Sequence, residues 1–194
     1  MKIIGLGRAG CNLAEAFAKF PQYDTYTIDA HKAADVTIKE RQTHEEYEKH
    51  FPSLKRKFKF TNEEIIFIIG GSGRISGATL RLLQQFQNGN KIFVVYVQPD
   101  LALLSETQKK QEKIVKNVLQ EYARSGMIEC VYLVDNLMVE KGIGDVPIRG
   151  YFEVLNQAIV NTLHMINVFK NSEPVIGNFT HPSPLSRIAT VGVL

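Results

Sequence analysis

The fold of this chain is decided by its first twelve residues, Met1-Lys-Ile-Ile-Gly5-Leu-Gly7-Arg8-Ala9-Gly10-Cys11-Asn12. A short apolar run, typical of a buried strand, passes through three glycines into a segment with a helical pattern. Glycine lets the backbone approach a ligand closely, and the N-terminus of a helix offers unpaired N–H groups to an anion. The stretch therefore predicts a phosphate-binding loop between a strand and a helix.

A second stretch repeats this arrangement further along the chain. The apolar run 65–69 leads into Gly70-Gly71-Ser72-Gly73-Arg74-Ile75-Ser76-Gly77, and a second helical pattern follows. One glycine-rich loop is a common signal with many false positives. Two in one domain indicate that a polyphosphate is held from both sides, and we interpret the chain as nucleotide-binding.

Strand and helix patterns alternate along the rest of the sequence. The predicted strands are 2–5, 24–29, 65–69, 91–98 and 128–134, and the predicted helices are 11–20, 77–88, 105–124 and 149–170. The polar stretch 37–62 is expected to contain a helix near 45–50 and an edge strand in which Phe58 and Phe60 turn inward. This alternation predicts an α/β fold, a doubly wound and mainly parallel sheet with a long central helix at about 149–170 and its ligand at the carboxyl ends of the strands.

Composition excludes several classes of protein. The chain has 194 residues, 44% of them hydrophobic, and a net charge of +3. Its densest basic segment, Lys55 to Lys59, alternates with apolar residues as an exposed strand would, which favours a solvated face over a nucleic-acid partner. No apolar run approaches membrane-spanning length, and no leader precedes the first strand, so a cytoplasmic location without a membrane partner is expected. Cys11 and Cys130 suggest neither a metal site nor a disulfide framework.

The first loop by itself also fits another class of nucleotide-binding protein. Gly5, Gly7 and Gly10, followed by Asp29 at the end of the second strand, match the dinucleotide-binding fingerprint, in which the acid holds a ribose hydroxyl. An NAD-binding Rossmann oxidoreductase is therefore an alternative. That alternative does not account for the second loop or for the cluster from Gly150 to Asn156.

Taken together, the clusters resemble the nucleotide-binding GTPase domain of the tubulin/FtsZ superfamily over nearly the whole chain. The first loop resembles that family's first phosphate loop, Thr27 to His31 the segment after its second strand, and residues 71–77 its glycine-rich signature. Pro99 and the pair Glu106 and Lys110 resemble its ribose-side loop. Asn136, Phe152 and Asn156 match its guanine-side amide and the aromatic and amide at the head of its central helix.

The resemblance implies a site, a cofactor and a partner. It implies a cytoskeletal, filament-type GTPase that binds GTP or GDP, with Mg²⁺ as a candidate metal, and self-associates head to tail with the nucleotide at the subunit interface. An aromatic face together with an amide that both donates and accepts can distinguish guanine from adenine. The residues implied to bind the nucleotide are Gly7, Arg8, Ala9, Gly10, Cys11, Asn12, Asp29, Gly71, Ser72, Gly73, Arg74, Ile75, Ser76, Gly77, Pro99, Glu106, Lys110, Asn136, Phe152 and Asn156; no catalytic residue is implied.

The sequence also departs from the family pattern. Arg74 and Ile75 replace Thr and Gly in the second loop. A β-branched residue there hinders positive φ and close approach, while Arg74 offers a charged donor to phosphate. No acidic residue lies after Glu173, although the family completes hydrolysis with acids after the central helix, and His181 is the only titratable group in the loop that could take part. Weak or no GTP hydrolysis is expected, and a non-hydrolysing structural or assembly protein on the same fold remains an alternative.

These departures also bear on domain organisation. We expect residues 1–171 to form the nucleotide-binding domain and residues 172–194 to form a loop and the start of a missing or truncated second domain. Divergence of this size is typical of phage or plasmid members of the family.

Overall fold

In the part of the chain that the structure describes, seven parallel strands form one sheet. The computed structural model describes residues 1–31, 33–173 and 186–191. The strands are β1 (Lys2–Leu6), β2 (Asp24–Asp29), β3 (Val36–Thr37), β4 (Glu64–Gly70), β5 (Lys91–Gln98), β6 (Cys130–Asp135) and β7 (Ile188–Val191). They lie in the order β3-β2-β1-β4-β5-β6-β7, and every neighbouring pair is parallel.

Helices cover both faces of the sheet. They are α1 (Gly7–Phe17), α2 (His44–Lys49), α3 (Thr79–Phe86), α4 (Glu106–Arg124), α5 (Asn136–Ile143) and α6 (Tyr151–Lys170), with 3₁₀ turns at Arg74–Ala78 and Leu101–Leu103. Buried side chains of α2, α3 and α4 join the core on one face, and those of α1, α5 and α6 join the core on the other. The predicted doubly wound parallel sheet is confirmed.

The chain order of the strands creates a crevice at one end of the sheet. β1 pairs with β2 on one side and with β4 on the other, and α1 and α3 leave these two central strands towards opposite faces. Ligands of open α/β sheets bind at such a switch point, beyond the carboxyl ends of the strands. Both glycine-rich loops follow the strands that flank it.

Several local predictions are wrong. Residues 55–57 form a turn and residues 58–60 have no regular structure where an edge strand is predicted, although Phe58 is buried as expected. The apolar pattern of the helix predicted at 105–124 places Ile114 on its buried stripe, but Ile114 is exposed on α4 and Glu112 lies on the buried side instead. Helix α5 begins at Asn136, where no helix is predicted. Its sequence pattern is weak because only Val139 of its eight residues is buried.

The predictions for the C-terminal part of the chain fall largely outside the described residues. The loop predicted at 172–186, with His181, lies mostly in the undescribed residues 174–185. The domain boundary at 171 stays a prediction; within the described residues, Ile188–Val191 pairs with β6 and extends the same sheet. Among the helices of the described residues, none is both long and apolar enough to cross a membrane.

Candidate nucleotide-binding site

A cavity of about 480 Å³ opens at the switch point of the sheet. This volume lies within the range of small-molecule sites, about 300–1,000 Å³. The cavity collects residues from the first loop, the second loop, the end of β5 and the starts of α5 and α6. It is lined by Leu6, Gly7, Arg8, Ala9, Asn12, Leu13, Gly70, Ser72, Gly73, Ile75, Val97, Asn136, Phe152, Leu155 and Asn156.

The first loop forms the start of a helix. α1 begins at Gly7 directly after β1, no side chain caps its N-terminus, and its first turn holds no acid. Gly7 has φ +70°, a left-handed conformation that favours glycine. The N-terminus of α1 therefore keeps its N–H groups and positive dipole end available to an anion in the cavity.

Two residues predicted to bind in this loop are instead packed beneath it. A Cβ on Gly10 would lie 2.4 Å from the carbonyl oxygen of Ile68, so glycine is required for the approach of α1 to β4. The Cys11 thiol is buried and donates at 3.6 Å to the carbonyl oxygens of Gly5 and Ile28. Burial, reinforced by the nearby Asp29 charge, raises the pKa of this thiol to about 12. Neither Gly10 nor Cys11 lines the cavity.

The second loop begins another helical segment without a side-chain cap. Gly73 precedes the 3₁₀ turn Arg74–Ala78, and the Ser76 hydroxyl donates to the Gly73 carbonyl at 2.7 Å. Ser72, Gly73 and Ile75 line the cavity, whereas the buried Ser76 does not. Two uncapped helical N-termini thus face one cavity from neighbouring strands, an arrangement that suits a chain of phosphates.

The second loop rests on a buried side-chain pair. A Cβ on Gly71 would meet the Tyr96 hydroxyl at 2.1 Å and Pro99 Cδ at 3.1 Å. Tyr96 is fully buried and its hydroxyl donates to Glu112 Oε1 at 3.1 Å, while burial and the Glu112 charge raise the pKa of Tyr96. Gly71 and Pro99 therefore contact this support rather than the cavity.

Segment 38–50 packs against the far side of the second loop. A Cβ on Gly77 would lie 2.1 Å from the His44 carbonyl oxygen, so Gly77 serves the contact with α2. The Arg74 guanidinium donates to the main-chain and side-chain oxygens of Gln42, each at 3.2 Å. One nitrogen of the Arg74 guanidinium is thus engaged by Gln42, and Arg74 does not line the cavity.

Ile75 fits its position without backbone strain. The expected conflict with positive φ does not arise, because Asn62 is the only non-glycine residue of the described part with positive φ. Ile75 instead turns its side chain towards the first loop, where a Cβ on Gly7 would lie 2.5 Å from Ile75 Cγ2.

The wall opposite the loops is formed by α5 and α6. Phe152 is 69% exposed at the start of α6, so it is not a core residue, and Asn156 lies one turn further along the same side of the cavity. Gly150, with φ +86°, starts this helix. Asn136 Oδ1 is buried and has no hydrogen-bond partner among the described residues. A buried amide oxygen without a partner calls for a donor that the protein itself does not supply.

Three remaining predicted residues do not line the cavity. Asp29 Oδ1 accepts from the Ala30 amide at 2.7 Å. Glu106 is exposed and pairs with Lys109 at 2.8 Å rather than with Lys110, which is also exposed. The ribose-side contacts inferred from the resemblance are therefore not assembled around the cavity.

One charged side chain lines the cavity among the described residues. Of these lining residues only Arg8 is ionisable, and no cluster of three or more His, Cys, Asp or Glu side chains in the described part of the chain could hold a metal. The described wall of the cavity is therefore suited to an anion and holds no carboxylate.

The residues that support the second loop were not identified from the sequence. Tyr96 lies within an apolar strand and His44 within a polar stretch, and neither pattern indicates a contact with the loop. Glu112 could have been noticed, because it precedes Val115 and Leu119 by three and seven residues and so falls on the buried stripe of α4.

Solved structures share this architecture. The chain superposes on the FtsZ dimer of M. jannaschii (TM-score 0.68, 13% identity, 91% of this chain and 56% of that chain) and on CetZ of Methanosaeta thermophila (0.66, 13%, 91% and 56%). It also matches the GTPγS-form protofilament of TubZ from Bacillus thuringiensis serovar israelensis (0.63, 15%, 84% and 56%).

This chain spans slightly more than half the length of these structures. No protein-family model and no curated protein matches its sequence. The similarity is therefore carried by the fold and the order of the elements, which agree with the resemblance inferred from the loops. The chain has the tubulin/FtsZ fold in a strongly divergent sequence.

Proposed function

We propose that this chain binds a guanine nucleotide in the cavity at its switch point, as a tubulin/FtsZ-like protein of the cytoskeletal type. The observation that carries the proposal is the convergence of both glycine-rich loops with Asn136, Phe152 and Asn156 on one cavity. The two uncapped N-termini would hold phosphates through backbone N–H groups.

The opposite wall supports a purine base. Phe152 offers an exposed aromatic face for stacking, and the Asn156 amide can donate and accept on the base edge. Asn136 Oδ1, which has no hydrogen-bond partner among the described residues, would accept a hydrogen bond from the ligand. A dinucleotide fits less well, because Asp29 lies outside the cavity and its carboxylate is turned to the Ala30 amide.

Titration of GDP, GTP, ATP and NADH by calorimetry tests this proposal. Asn156→Ala and Phe152→Ala should each weaken guanine-nucleotide binding by about 1–3 kcal/mol, through loss of a buried hydrogen bond and of base stacking respectively. Asn117→Ala on the exposed side of α4 and Met165→Ala on the exposed side of α6 are matched controls and should bind as the wild type does.

Three results would oppose the proposal. If ATP bound as tightly as GTP, the proposal that the site recognises guanine would be wrong. The same would follow if Asn156→Ala and Phe152→Ala both bound guanine nucleotides as the wild type does. Tight NADH binding would favour the oxidoreductase alternative.

We further propose that the nucleotide-binding end is a contact between copies of this chain, joined head to tail. Large apolar side chains stand exposed at this end of the sheet. Ile148, which is 98% exposed, lines a pocket together with the exposed Phe152, and Leu103, which is 82% exposed, lies in the turn that follows β5. The similar FtsZ structure is a dimer and the TubZ structure a protofilament. Sedimentation with and without GDP or GTP should detect nucleotide-dependent association that Ile148→Asp reduces and Met165→Asp does not.

Hydrolysis of GTP should be weak or absent in this chain. Among the residues that the structure describes, those lining the cavity include no carboxylate that could orient a water molecule. Phosphate release should stay low at every protein concentration. A rate that rises steeply with concentration would show that one copy completes the site of another and would favour an active GTPase over a non-hydrolysing assembly protein.

A further inference from the structure

A second cavity lies at the β3 edge of the sheet. It has a volume of about 300 Å³ and is formed by the end of β3, helix α2 and the residues that follow each of them. This volume is at the lower limit of the range for small-molecule sites, about 300–1,000 Å³. No described residue lines both this cavity and the one at the switch point. The edge cavity is therefore a separate site, and an inference about it does not depend on the proposed nucleotide binding.

The inner wall of the edge cavity is apolar. Ile38 and Tyr47 line it, each is only 5% exposed, and both belong to the hydrophobic core on that face of the sheet. Phe51 is partly buried against the same core, and Pro52 follows it in the wall. Such a wall favours an apolar group of a ligand, because contact with it removes hydrocarbon from water.

This inner wall also holds a buried residue whose polar group is unpaired. The Tyr47 hydroxyl makes no hydrogen bond within the described part of the chain, yet it is not among the fully buried unpaired atoms there, which are His44 Nε2 and Asn136 Oδ1. The hydroxyl therefore keeps access to the cavity that Tyr47 lines. Because buried tyrosine hydroxyls usually have a hydrogen-bond partner, this one is suited to a polar group that enters the cavity.

Three further lining residues carry basic side chains. Lys39, Arg41 and His50 line the cavity, and within the described residues no hydrogen bond or ion pair engages their side chains. No aspartate or glutamate is among the described residues that line it, and Glu46, next to Tyr47, accepts from the Gln42 amide at 3.0 Å. A free guanidinium can bind a carboxylate or phosphate through two parallel hydrogen bonds, and a free ammonium adds a positive charge.

We propose that the edge cavity binds a small organic anion, in which a phosphate or carboxylate group is attached to an apolar ring. Lys39 and Arg41 bind the anionic group, and the Tyr47 hydroxyl donates to one of its oxygens. The ring packs against Phe51 and Pro52.

Titrations followed by amide chemical shifts in NMR spectra test this inference, because they locate binding residue by residue. Phenyl phosphate and benzoate are the probes. Inorganic phosphate, which lacks the ring, and benzyl alcohol, which lacks the charge, are the controls. At least one probe should shift the amides of residues 37–52 and bind at least about tenfold more tightly than both controls, a ratio that corresponds to about 1.4 kcal/mol. The probe that binds more tightly identifies the anionic group.

Variants attribute the binding to the cavity. Arg41→Gln should weaken binding of the tighter probe at least about tenfold, through loss of charged hydrogen bonds. Lys39→Gln and Tyr47→Phe should each weaken it at least about threefold, and Tyr47→Phe keeps the buried ring in place. Lys49→Gln is the matched control, because it removes an exposed lysine of α2 that does not line the cavity, and it should bind as the wild type does.

Several results would overturn the inference. They are the absence of amide shifts at 37–52 with both probes, binding of either control as tightly as the probes, and unchanged affinity in Arg41→Gln. Shifts confined to residues 7–12 and 71–77 would also overturn it, and would place the anion in the switch-point cavity instead. The wild-type titrations decide the matter even where a variant does not fold. No guanine nucleotide enters these measurements, so failure of the proposed function would leave this inference standing.

Discussion

The two glycine-rich loops look alike in sequence but are held in different ways. In the first loop the glycines allow one stretch of backbone to pack directly against another. A Cβ on Gly5 would lie 2.2 Å from the Gly10 carbonyl oxygen, and a Cβ on Gly10 would lie 2.4 Å from the Ile68 carbonyl oxygen. In the second loop, Gly71 meets the Tyr96 hydroxyl and Arg74 is held by Gln42, so side chains support the first part of the loop. Its last glycine, Gly77, meets backbone, because an added Cβ would lie 2.1 Å from the His44 carbonyl oxygen.

This difference indicates which loop can respond to a ligand. A backbone contact between packed elements has no other conformer to adopt, whereas a hydrogen-bonded side chain can rotate or change partner. The first loop is therefore a fixed part of the sheet edge. The second loop is the one whose position depends on the side chains of Tyr96 and Gln42.

The largest expected difference between the loops is in thiol reactivity. Cys11 is buried beneath the first loop with its pKa raised to about 12, so its thiolate fraction at pH 8 is about a thousandfold below that of an ordinary thiol. Ser72 is exposed in the second loop. In a Cys130→Ser background, native Cys11 should resist iodoacetamide at pH 8, and the added thiol of Ser72→Cys should react readily. Rapid native labelling of Cys11 would contradict a fixed first loop.

Adding one methyl group to each loop should separate them next. Gly10→Ala drives a Cβ into the backbone of β4 and should lower the free energy of unfolding by about 3 kcal/mol. Gly73→Ala is the matched control, because its Cβ would meet only Ile75 Cγ2, at 3.7 Å, and the backbone φ of −78° suits alanine. Urea denaturation measures both. Equal and small effects would show that the first loop relaxes as easily as the second.

A smaller effect should come from the Tyr96 support. Gly71→Ala pushes against the Tyr96 hydroxyl and should cost about 1–3 kcal/mol of unfolding free energy. Tyr96→Phe removes that hydroxyl, leaving the ring carbon Cζ 2.6 Å from the added Cβ, and also deprives buried Glu112 of its donor. The double variant should therefore be more stable than the sum of the single effects by at least about 0.5 kcal/mol. Strict additivity in urea denaturation would contradict the contact.

The smallest effect should be a pH dependence from His44. Desolvation lowers the pKa of His44, against a partial opposing effect of Glu45 and Glu48, and its Nε2 is buried without a hydrogen-bond partner in the described structure. In the unfolded chain the His44 imidazole becomes protonated near pH 6.5, whereas in the folded chain it stays neutral to a lower pH. The free energy of unfolding therefore falls as the pH drops below about 6.5. Urea midpoints compared between pH 7.5 and 5.5 should change less in His44→Gln than in the wild type. The same pH response in both would exclude His44 as its source.

The sequence was sufficient for the central sheet because burial on both faces leaves a strong pattern. β1, β4 and β5 are nearly continuous apolar runs, and each was predicted to within one residue at either end. The segment Lys55–Lys59 alternates in sequence like a strand, but Phe58 is its one side chain that enters the core. Helix α5 likewise buries a single residue. Neither surface segment leaves a periodic pattern of its own.

The site was predicted less evenly, and glycine is the reason. A glycine marks a place where something comes close, but not whether that neighbour is a ligand or the protein itself. Gly7 and Gly73 line the cavity, whereas Gly10 and Gly77 leave room for the backbone carbonyl oxygens of Ile68 and His44. Asn136, Phe152 and Asn156 were found through the resemblance, since no local pattern connects residues on separate helices.

The pairing of β1 has a consequence for how the chain folds as it is synthesised. Lys2 to Leu6 leave the ribosome before the other strands of this sheet, yet one of the two neighbours of this strand, β4, lies 63 residues later in the register Lys2 with Ile65. Until β4 emerges, the apolar side chains of β1 lack half of their partners, and long-range parallel pairing forms slowly. Strand β1 is therefore the segment most exposed to misfolding during translation. Helix α1, which follows it directly, can shield one of its faces early through Leu13 and Phe17.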